Sequence, residues 1–361
     1  MKKLCFISLL LAALLSLAES AEACTSMLVS GAYSRSGRPM MWKHRDTGAE
    51  DNFIERKAAT DSTIGFVALY NGGDSLLREA WMGVNDRGFA IMNTASYNLA
   101  PDTTDYKDRE GIVMSLALGR CASVADFERL LAELPRPMGV QANFGVMDTG
   151  GALAYFETYD HGYRRYDVAD TLMVRTNFSV SGNDNDGMGY IRYHNVGDIL
   201  SREISARDLT PESFTEKASR SFRHSLIGKD FEQEDTRWVI DRDFIPRRIS
   251  SASIVIEGVN PGESLDDITM WTVIGYPPCS HVEAVTLDNV PQCLRPVAAG
   301  WRSPLCNEVV VRKRKAFPIT VGSGSSYIDM DYVRSVMPAQ RALSEENYKK
   351  RRKECHPQSQ Q

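Results

Sequence analysis

The stretch Ala21-Glu22-Ala23-Cys24-Thr25-Ser26 marks the point where an apolar N-terminal segment ends and a chain of mixed composition begins. Met1-Lys2-Lys3 is a short basic region, Leu4 to Leu17 is an apolar run, and Ala21-Glu22-Ala23 fits the small-x-small pattern of signal peptidase sites. We interpret residues 1–23 as a secretory signal peptide. The protein is therefore expected to be exported, to the periplasm or out of the cell.

Cleavage after Ala23 would leave Cys24 with a thiol and a free α-amine. The amine can accept the thiol proton, directly or through one water, and return it to a leaving group. One residue would then supply both nucleophile and base. The alternative is a lipoprotein signal, in which Cys24 is acylated and anchors the chain. Glu22 argues against it, because such signals usually stay small and apolar up to the cysteine.

The 361 residues carry a net charge of -5, and 43% of them are hydrophobic and 25% charged. This composition is that of an ordinary globular protein with room for a full core. Mild acidity gives no reason to expect nucleic-acid binding. No apolar run after the leader is long enough to span a bilayer.

Six cysteines follow the leader, and an even number in an exported chain permits disulfides. They are Cys24, Cys121, Cys279, Cys293, Cys306 and Cys355. A catalytic Cys24 must stay a free thiol, and we expect one bridge within the group from Cys279 to Cys306, with its pairing open. No cysteine or histidine cluster has zinc-ligand spacing, and residues 183–187 resemble half of a calcium loop without its final glutamate. We therefore expect no metal and no cofactor.

The periodicity of apolar residues predicts strands and helices in alternating groups. Predicted strands cover 25–30, 40–44, 65–70, 80–85, 89–93, 144–148, 152–157, 171–177, 251–256, 270–275 and 281–287. Predicted helices cover 112–121, 123–131, 190–202 and 211–225, with a short fraying helix in the polar tail 344–361. Hairpin turns between the strands favour an α+β fold with largely antiparallel sheets and helices packed outside them.

Five sequence blocks together resemble the acyl-coenzyme A:isopenicillin-N acyltransferase family, which is related to choloylglycine (bile-salt) hydrolases and penicillin V acylases. The blocks are Cys24-Thr25-Ser26, Trp42 to Thr47, Gly83 to Thr94, Phe144 to Asp148 and Arg175 to Phe178. The resemblance implies the four-layer α-β-β-α N-terminal-nucleophile hydrolase fold. It also implies one domain over residues 24–361, of which 344–361 form a polar tail.

The resemblance further implies that Cys24 is the nucleophile and that Arg45 and Asp46 hold its thiol and amine. A carboxylate near the amine fixes its orientation, and an arginine beside the thiol favours the thiolate. These two residues are adjacent here, whereas bile-salt hydrolases separate them. On a continuous strand they would face opposite sides, so Asp46 is the stronger candidate, and a surface ion pair is the alternative reading.

Asn93 matches the asparagine whose amide completes the oxyanion hole, and Asn177 matches a second one that orients the amine. Without the resemblance, either asparagine would be read as a turn former at a strand end. Family members also carry a distal arginine near the nucleophile. Arg247 and Arg248 both stand in about the right place, Arg248 is our candidate, and either could instead cap a strand.

These features together indicate an exported, cofactor-free cysteine amidase that cleaves a non-peptide or small-peptide C–N bond in a small-molecule amide. An acyltransferase or dipeptidase of the same fold is the alternative among enzymes. A lipid-anchored binding protein, using Cys24 only for attachment, is the alternative outside them. A homo-oligomer is compatible with the sequence.

The leader generates a prediction about processing. Because Ala21-Glu22-Ala23 satisfies signal peptidase, the mature chain should begin at Cys24 with a free amine. Intact-mass measurement of the exported protein checks this. A diacylated Cys24, or a chain that begins at another residue, would contradict the N-terminal-nucleophile mechanism.

Overall fold

The computed structural model describes residues 23–100, 108–320 and 326–355. The predicted leader, apart from Ala23, lies outside these residues, as do residues 322–325 of the Gly/Ser-rich loop and the last six residues of the predicted tail. Within the described residues, no helix has the length and apolar character needed to cross a membrane.

The first of two large sheets has six strands in the order β10-β1-β2-β14-β15-β16, and every neighbouring pair is antiparallel. It consists of β10 (Leu172–Arg175), β1 (Thr25–Val29), β2 (Met40–Asp46), β14 (Ser250–Glu257), β15 (Thr269–Ile274) and β16 (Val282–Val285). The two strands that follow Cys24, β1 and β2, therefore lie inside the sheet rather than at its edge. Each of them is hydrogen-bonded to a neighbouring strand on both sides.

The second large sheet has seven antiparallel strands in chain order. It consists of β3 (Asn52–Lys57), β4 (Phe66–Asn71), β5 (Met82–Asn85), β6 (Ala90–Ala95), β7 (Ala142–Met147), β8 (Leu153–Tyr159) and β9 (Gly162–Asp167). The remaining strands of the described residues form two small sheets. They are β11 (Arg223–His224) with β12 (Lys229–Asp230), and β13 (Trp238–Ile240) with β18 (Ser326–Asp329) and β17 (Ile319–Thr320).

Helices cover the outer faces of both large sheets. They are α1 (Glu110–Arg120), α2 (Val124–Glu133), α3 (Tyr190–Ala206), α4 (Pro304–Ala316) and α5 (Met330–Cys355). On the seven-stranded side, Phe127 of α2 packs edge-on against Phe144 and Phe156. On the six-stranded side, Tyr348 of α5 packs on Trp271. The inner faces of the sheets share one buried core, so the expected α+β fold with four layers is confirmed.

Three local predictions from sequence are wrong. The helix expected over 211–225 is a π-helical turn (Ser213–Lys217) followed by a 3-10 turn (Ala218–Arg220) and β11. Side-chain hydroxyls compete there with the backbone amides for carbonyl oxygens. The hydroxyl of Thr215 donates to the carbonyl of Pro211, and the hydroxyl of Ser219 donates to the carbonyl of Phe214. The tail is not a short surface helix, because residues 344–355 are the last part of α5. Finally, all six cysteines of the described chain are free thiols, so the expected bridge is absent.

Candidate active site

Backbone pairing of the first two strands places Cys24 next to Asp46. The register pairs Thr25 with His44, and the amide of Ala23 donates to the carbonyl oxygen of Asp46 at 3.3 Å. The sulfur of Cys24 lies 3.9 Å from the same oxygen, and the residue is 3% exposed. The position of the thiol is therefore set by sheet geometry rather than by a mobile loop.

Side chains of β2 alternate between two environments, as the strand period requires. Lys43 and Arg45 face the seven-stranded sheet, where the Arg45 guanidinium lies 4.7 Å from the ring centroid of Trp81. His44 and Asp46 face the opposite side. The register, extended by one residue, places Cys24 across from Arg45 and so on the face that points towards the second sheet.

Arg45 and Asp46 therefore diverge, because β2 continues through both residues. The Nη1 of Arg45 donates to Oδ1 of Asn52 at 3.0 Å and to the hydroxyl of Ser251 at 3.4 Å. No hydrogen bond or ion pair of the described chain joins Arg45 to Asp46.

The carboxylate of Asp46 is fully buried and held by three groups. Oδ2 accepts from Nη2 of Arg247 at 2.5 Å, and Oδ1 accepts from the hydroxyl of Ser250 at 2.6 Å. Nε2 of His44 lies 3.4 Å from Oδ1 and 2.8 Å from the hydroxyl of Ser250. Burial alone would raise the pKa of Asp46, but Arg247 and then His44 hold that pKa well below its usual range. The group is therefore a fixed negative charge.

Of the two arginines that sequence could not separate, Arg247 reaches this carboxylate. Its Nη2 also donates to the carbonyl oxygen of Ala23 at 3.0 Å. Burial opposes its charge, but Asp46 raises the pKa of Arg247 above its ordinary value. The backbone amide of Arg248 instead donates to Oδ2 of Asp241 at 2.9 Å.

A second buried arginine, Arg192, holds the residue that precedes β1, and sequence reasoning missed it. Its Nη1 donates to the carbonyl oxygen of Cys24 at 2.5 Å and to the hydroxyl of Thr25 at 2.8 Å, and its Nη2 donates to Oδ1 of Asn177 at 2.7 Å. Nδ2 of Asn177 donates to the carbonyl of Ala95 at 2.9 Å. Burial, then the nearby Arg247, lowers the pKa of Arg192 to about 10, so it remains charged at neutral pH. Arg192 lies on α3, far along the chain, and no sequence motif marks it.

Asn93 lies on β6 of the second sheet and meets β2 across the core. Its Oδ1 accepts from Nζ of Lys43 at 2.6 Å. Lys43 also donates to the carbonyl of Trp81 at 2.8 Å. A lysine that directly follows the apolar run from Met40 to Trp42, inside a predicted strand, is the sequence feature that could have revealed this contact.

Among the described residues, the surroundings of Cys24 include two buried cations, Arg45 and Arg192, the partly buried Arg247 and the buried carboxylate of Asp46. An excess of positive charge stabilises an anion formed in the same region. The arrangement suits chemistry in which a thiolate and then an oxyanion develop.

Comparisons with known proteins were made for the whole chain. No family model matches it, and no curated protein matches it. Among solved structures, it is similar to the Caenorhabditis elegans ortholog of N-acylethanolamine-hydrolyzing acid amidase, with 13% identity and a TM-score of 0.44 over 65% of this chain and 92% of that one. Penicillin V acylase from Agrobacterium tumefaciens gives 11% identity and a TM-score of 0.43 over 74% and 87%.

Conjugated bile acid hydrolase from Clostridium perfringens gives 8% identity and a TM-score of 0.44 over 74% of this chain and 93% of that one. Similarities at this level do not carry an argument for activity.

The Asp46–Arg247 pair generates a prediction about stability. Replacing Arg247 by Met should destabilise the protein by about 3–5 kcal/mol at pH 7, because a buried carboxylate loses its partner charge. In the wild type, the lowered pKa of Asp46 gives stability that is present above about pH 4, the ordinary carboxyl value, and lost as the pH falls further. In Arg247→Met the pKa of Asp46 should rise, so the difference from wild type should shrink on acidification.

Thermal unfolding between pH 3 and pH 8 measures this difference. Arg35→Met is the matched control, because Arg35 pairs with Asp208 on the surface and should give no measurable change. Equal losses in the two variants, or a deficit in Arg247→Met that does not vary with pH, would contradict the electrostatic role of Arg247.

Proposed function

We propose that this protein is an exported cysteine amidohydrolase whose nucleophile is the N-terminal residue of the processed chain. It cleaves a non-peptide or small-peptide C–N amide bond of a small molecule through an acyl-enzyme on Cys24. It acts as one domain over residues 24–361, in the periplasm or outside the cell, and needs no cofactor.

The observation that carries this proposal is the position of the Ala23–Cys24 peptide bond. One guanidinium nitrogen of Arg247 lies 3.0 Å from the carbonyl oxygen of Ala23 and 2.5 Å from the carboxylate of Asp46. Cleavage of this peptide bond would create the α-amine of Cys24 within reach of a carboxylate that stays ionised. A buried carboxylate beside the chain start is what an amine needs in order to be oriented as a base.

The proposed reaction uses the thiol and the α-amine of Cys24 and the carboxamide of Asn93. The amine takes the proton from the Cys24 sulfur, and the resulting thiolate attacks the carbonyl carbon of the amide. The tetrahedral oxyanion accepts a hydrogen bond from Nδ2 of Asn93, whose Oδ1 is occupied by Lys43. Collapse breaks the C–N bond, and the ammonium group returns its proton to the leaving amine. Water then attacks the thioester by the same sequence of proton transfers and releases the acid.

Arg192 and Asn177 contribute by holding the backbone of the nucleophile. The carbonyl oxygen of Cys24 accepts a hydrogen bond from Nη1 of Arg192. Nη2 of the same guanidinium donates to Oδ1 of Asn177, which holds the arginine in place. A nucleophile fixed in this way does not lose freedom on reaching the transition state, which is one source of enzymatic rate.

The mechanism predicts that two changes at Cys24, a substitution and a one-residue N-terminal extension, each cause a large loss of amide cleavage. Cys24→Ala should abolish amide cleavage with the fold unchanged. A protein with one residue retained before Cys24 should lose roughly a hundred- to ten-thousandfold in turnover, because its nitrogen is a peptide N–H that cannot accept a proton. Turnover of a panel of acyl p-nitroanilides measures both, and intact mass reports whether the extra residue is still attached.

Wild-type turnover by the extended protein would show that a side chain, not the amine, is the base. Full activity of Cys24→Ala would remove the proposed function altogether. Cys355→Ala is the control, since this thiol lies at the end of α5 and should be dispensable.

The oxyanion argument gives a separate prediction for Asn93. Asn93→Ala should lower turnover by roughly a hundredfold or more while the protein stays folded, because one donor to the oxyanion is lost. The same panel and circular dichroism measure the effect. Unchanged turnover would leave Asn93 with a purely structural role inside β6.

A further inference from the structure

Lys43 is a buried ammonium group in the middle of the six-stranded sheet. It is 2% exposed. Its Nζ donates to Oδ1 of Asn93 at 2.6 Å and to the carbonyl oxygen of Trp81 at 2.8 Å. Its Nζ also lies 5.9 Å from the ring centroid of Trp81. The first of these contacts joins a cation of β2 to the residue that we propose for the oxyanion hole.

The contact with Asn93 has a directional consequence. An ammonium group carries only donors, so it must face the oxygen of a carboxamide and not its nitrogen. The short distance of 2.6 Å therefore fixes which way the amide of Asn93 points. Nδ2 is directed away from Lys43, and no hydrogen bond of the described chain uses it.

The charge also affects the strength of Nδ2 as a donor. A cation on the oxygen of a carboxamide draws electron density towards that oxygen and makes the N–H groups more acidic. A neutral partner would orient the amide without polarising it to the same degree. Lys43 provides both effects and lies on the same face of β2 as the position opposite Cys24.

We infer that Lys43 is a positioning residue that orients and polarises the carboxamide of Asn93 so that its Nδ2 donates to the oxyanion formed at Cys24. The inference rests on the proposed amidohydrolase function and adds a residue to it. Lys43 itself touches neither the thiol nor the substrate in this scheme. It acts through Asn93 alone.

The test compares Lys43→Met with Lys57→Met. Lys57 is a matched control, because it also donates to a backbone carbonyl, that of Leu77 at 2.9 Å, and its Nζ also lies 5.9 Å from an aromatic centroid, that of Phe66. Lys43→Met should lower kcat by roughly ten- to a hundredfold with KM within about twofold, since only a transition-state interaction is weakened. Lys57→Met should match the wild type. The probe is the acyl p-nitroanilide that the wild type turns over fastest.

The double variant separates positioning from a general structural role. If Lys43 acts through Asn93, then Lys43→Met in the Asn93→Ala background should cause no further loss of kcat. The rate of alkylation of Cys24 by iodoacetamide should also be unchanged in Lys43→Met. Losses that multiply, or a slower alkylation, would overturn the inference.

Asn93→Asp tests the same contact from the other side and does not require Lys43→Met to fold alone. The carboxylate keeps the acceptor for Lys43 but removes the N–H donor, so the variant should be folded and inactive. Its melting temperature should fall much further when Lys43→Met is added, because a buried carboxylate then lacks a counter-charge. An equal melting temperature with and without Lys43 would show that the two groups are not coupled. The results for the Lys43 and Asn93 variants test the role of Lys43. Failure of the proposed amidohydrolase function would instead be seen as full activity of Cys24→Ala.

Discussion

The ion pair between Asp46 and Arg247 is the interaction on which the start of the domain depends. Burying a carboxylate costs several kcal/mol, and only close, well-aligned partners offset that cost. Arg247 supplies the charge, while Ser250 donates to the other carboxylate oxygen and accepts from the backbone amide of Arg247. The pair therefore ties the end of β2 to the turn that leads into β14. The same guanidinium also binds the carbonyl of Ala23, so this contact fixes the residue directly before Cys24.

A register irregularity makes this arrangement compatible with sheet pairing. Between Ser250 and Ala252 the pairing of β14 with β2 shifts, so that Ser250 lies opposite Asp46 and Ala252 opposite Arg45. Bulges of this kind redirect a side chain at a strand end, and they are common beside active sites. Here the shift brings the hydroxyl of Ser250 onto the carboxylate. Without the shift, the two-residue period would send that hydroxyl to the other face.

The sequence predicted most strands of the two large sheets because their period is local, although it missed β3 and β9. It predicted side-chain partners only where a motif marked them. Cys24, Asp46, Asn93 and Asn177 were predicted from a set of blocks in a fixed order. Arg192 was not, because its contact with Cys24 depends on how α3 packs on the sheet, which no local pattern encodes. The prediction for the end of α5 was wrong for a related reason. Its sequence is mostly charged, and the packing of one buried residue, Tyr348, on Trp271 cannot be read from that pattern.

The hydrogen-bond partners of Arg192 explain how a positive charge is kept beside Cys24. Arg192 donates to the carbonyl of Cys24, to the hydroxyl of Thr25 and to the carboxamide oxygen of Asn177. Neutral dipoles satisfy the donors of a buried cation without cancelling its field at a distance, whereas a carboxylate would cancel it. Arg247, in contrast, binds the carboxylate of Asp46. The charge of Arg192 therefore persists at the position to which β1 and β2 bring the thiol, where it favours an anion.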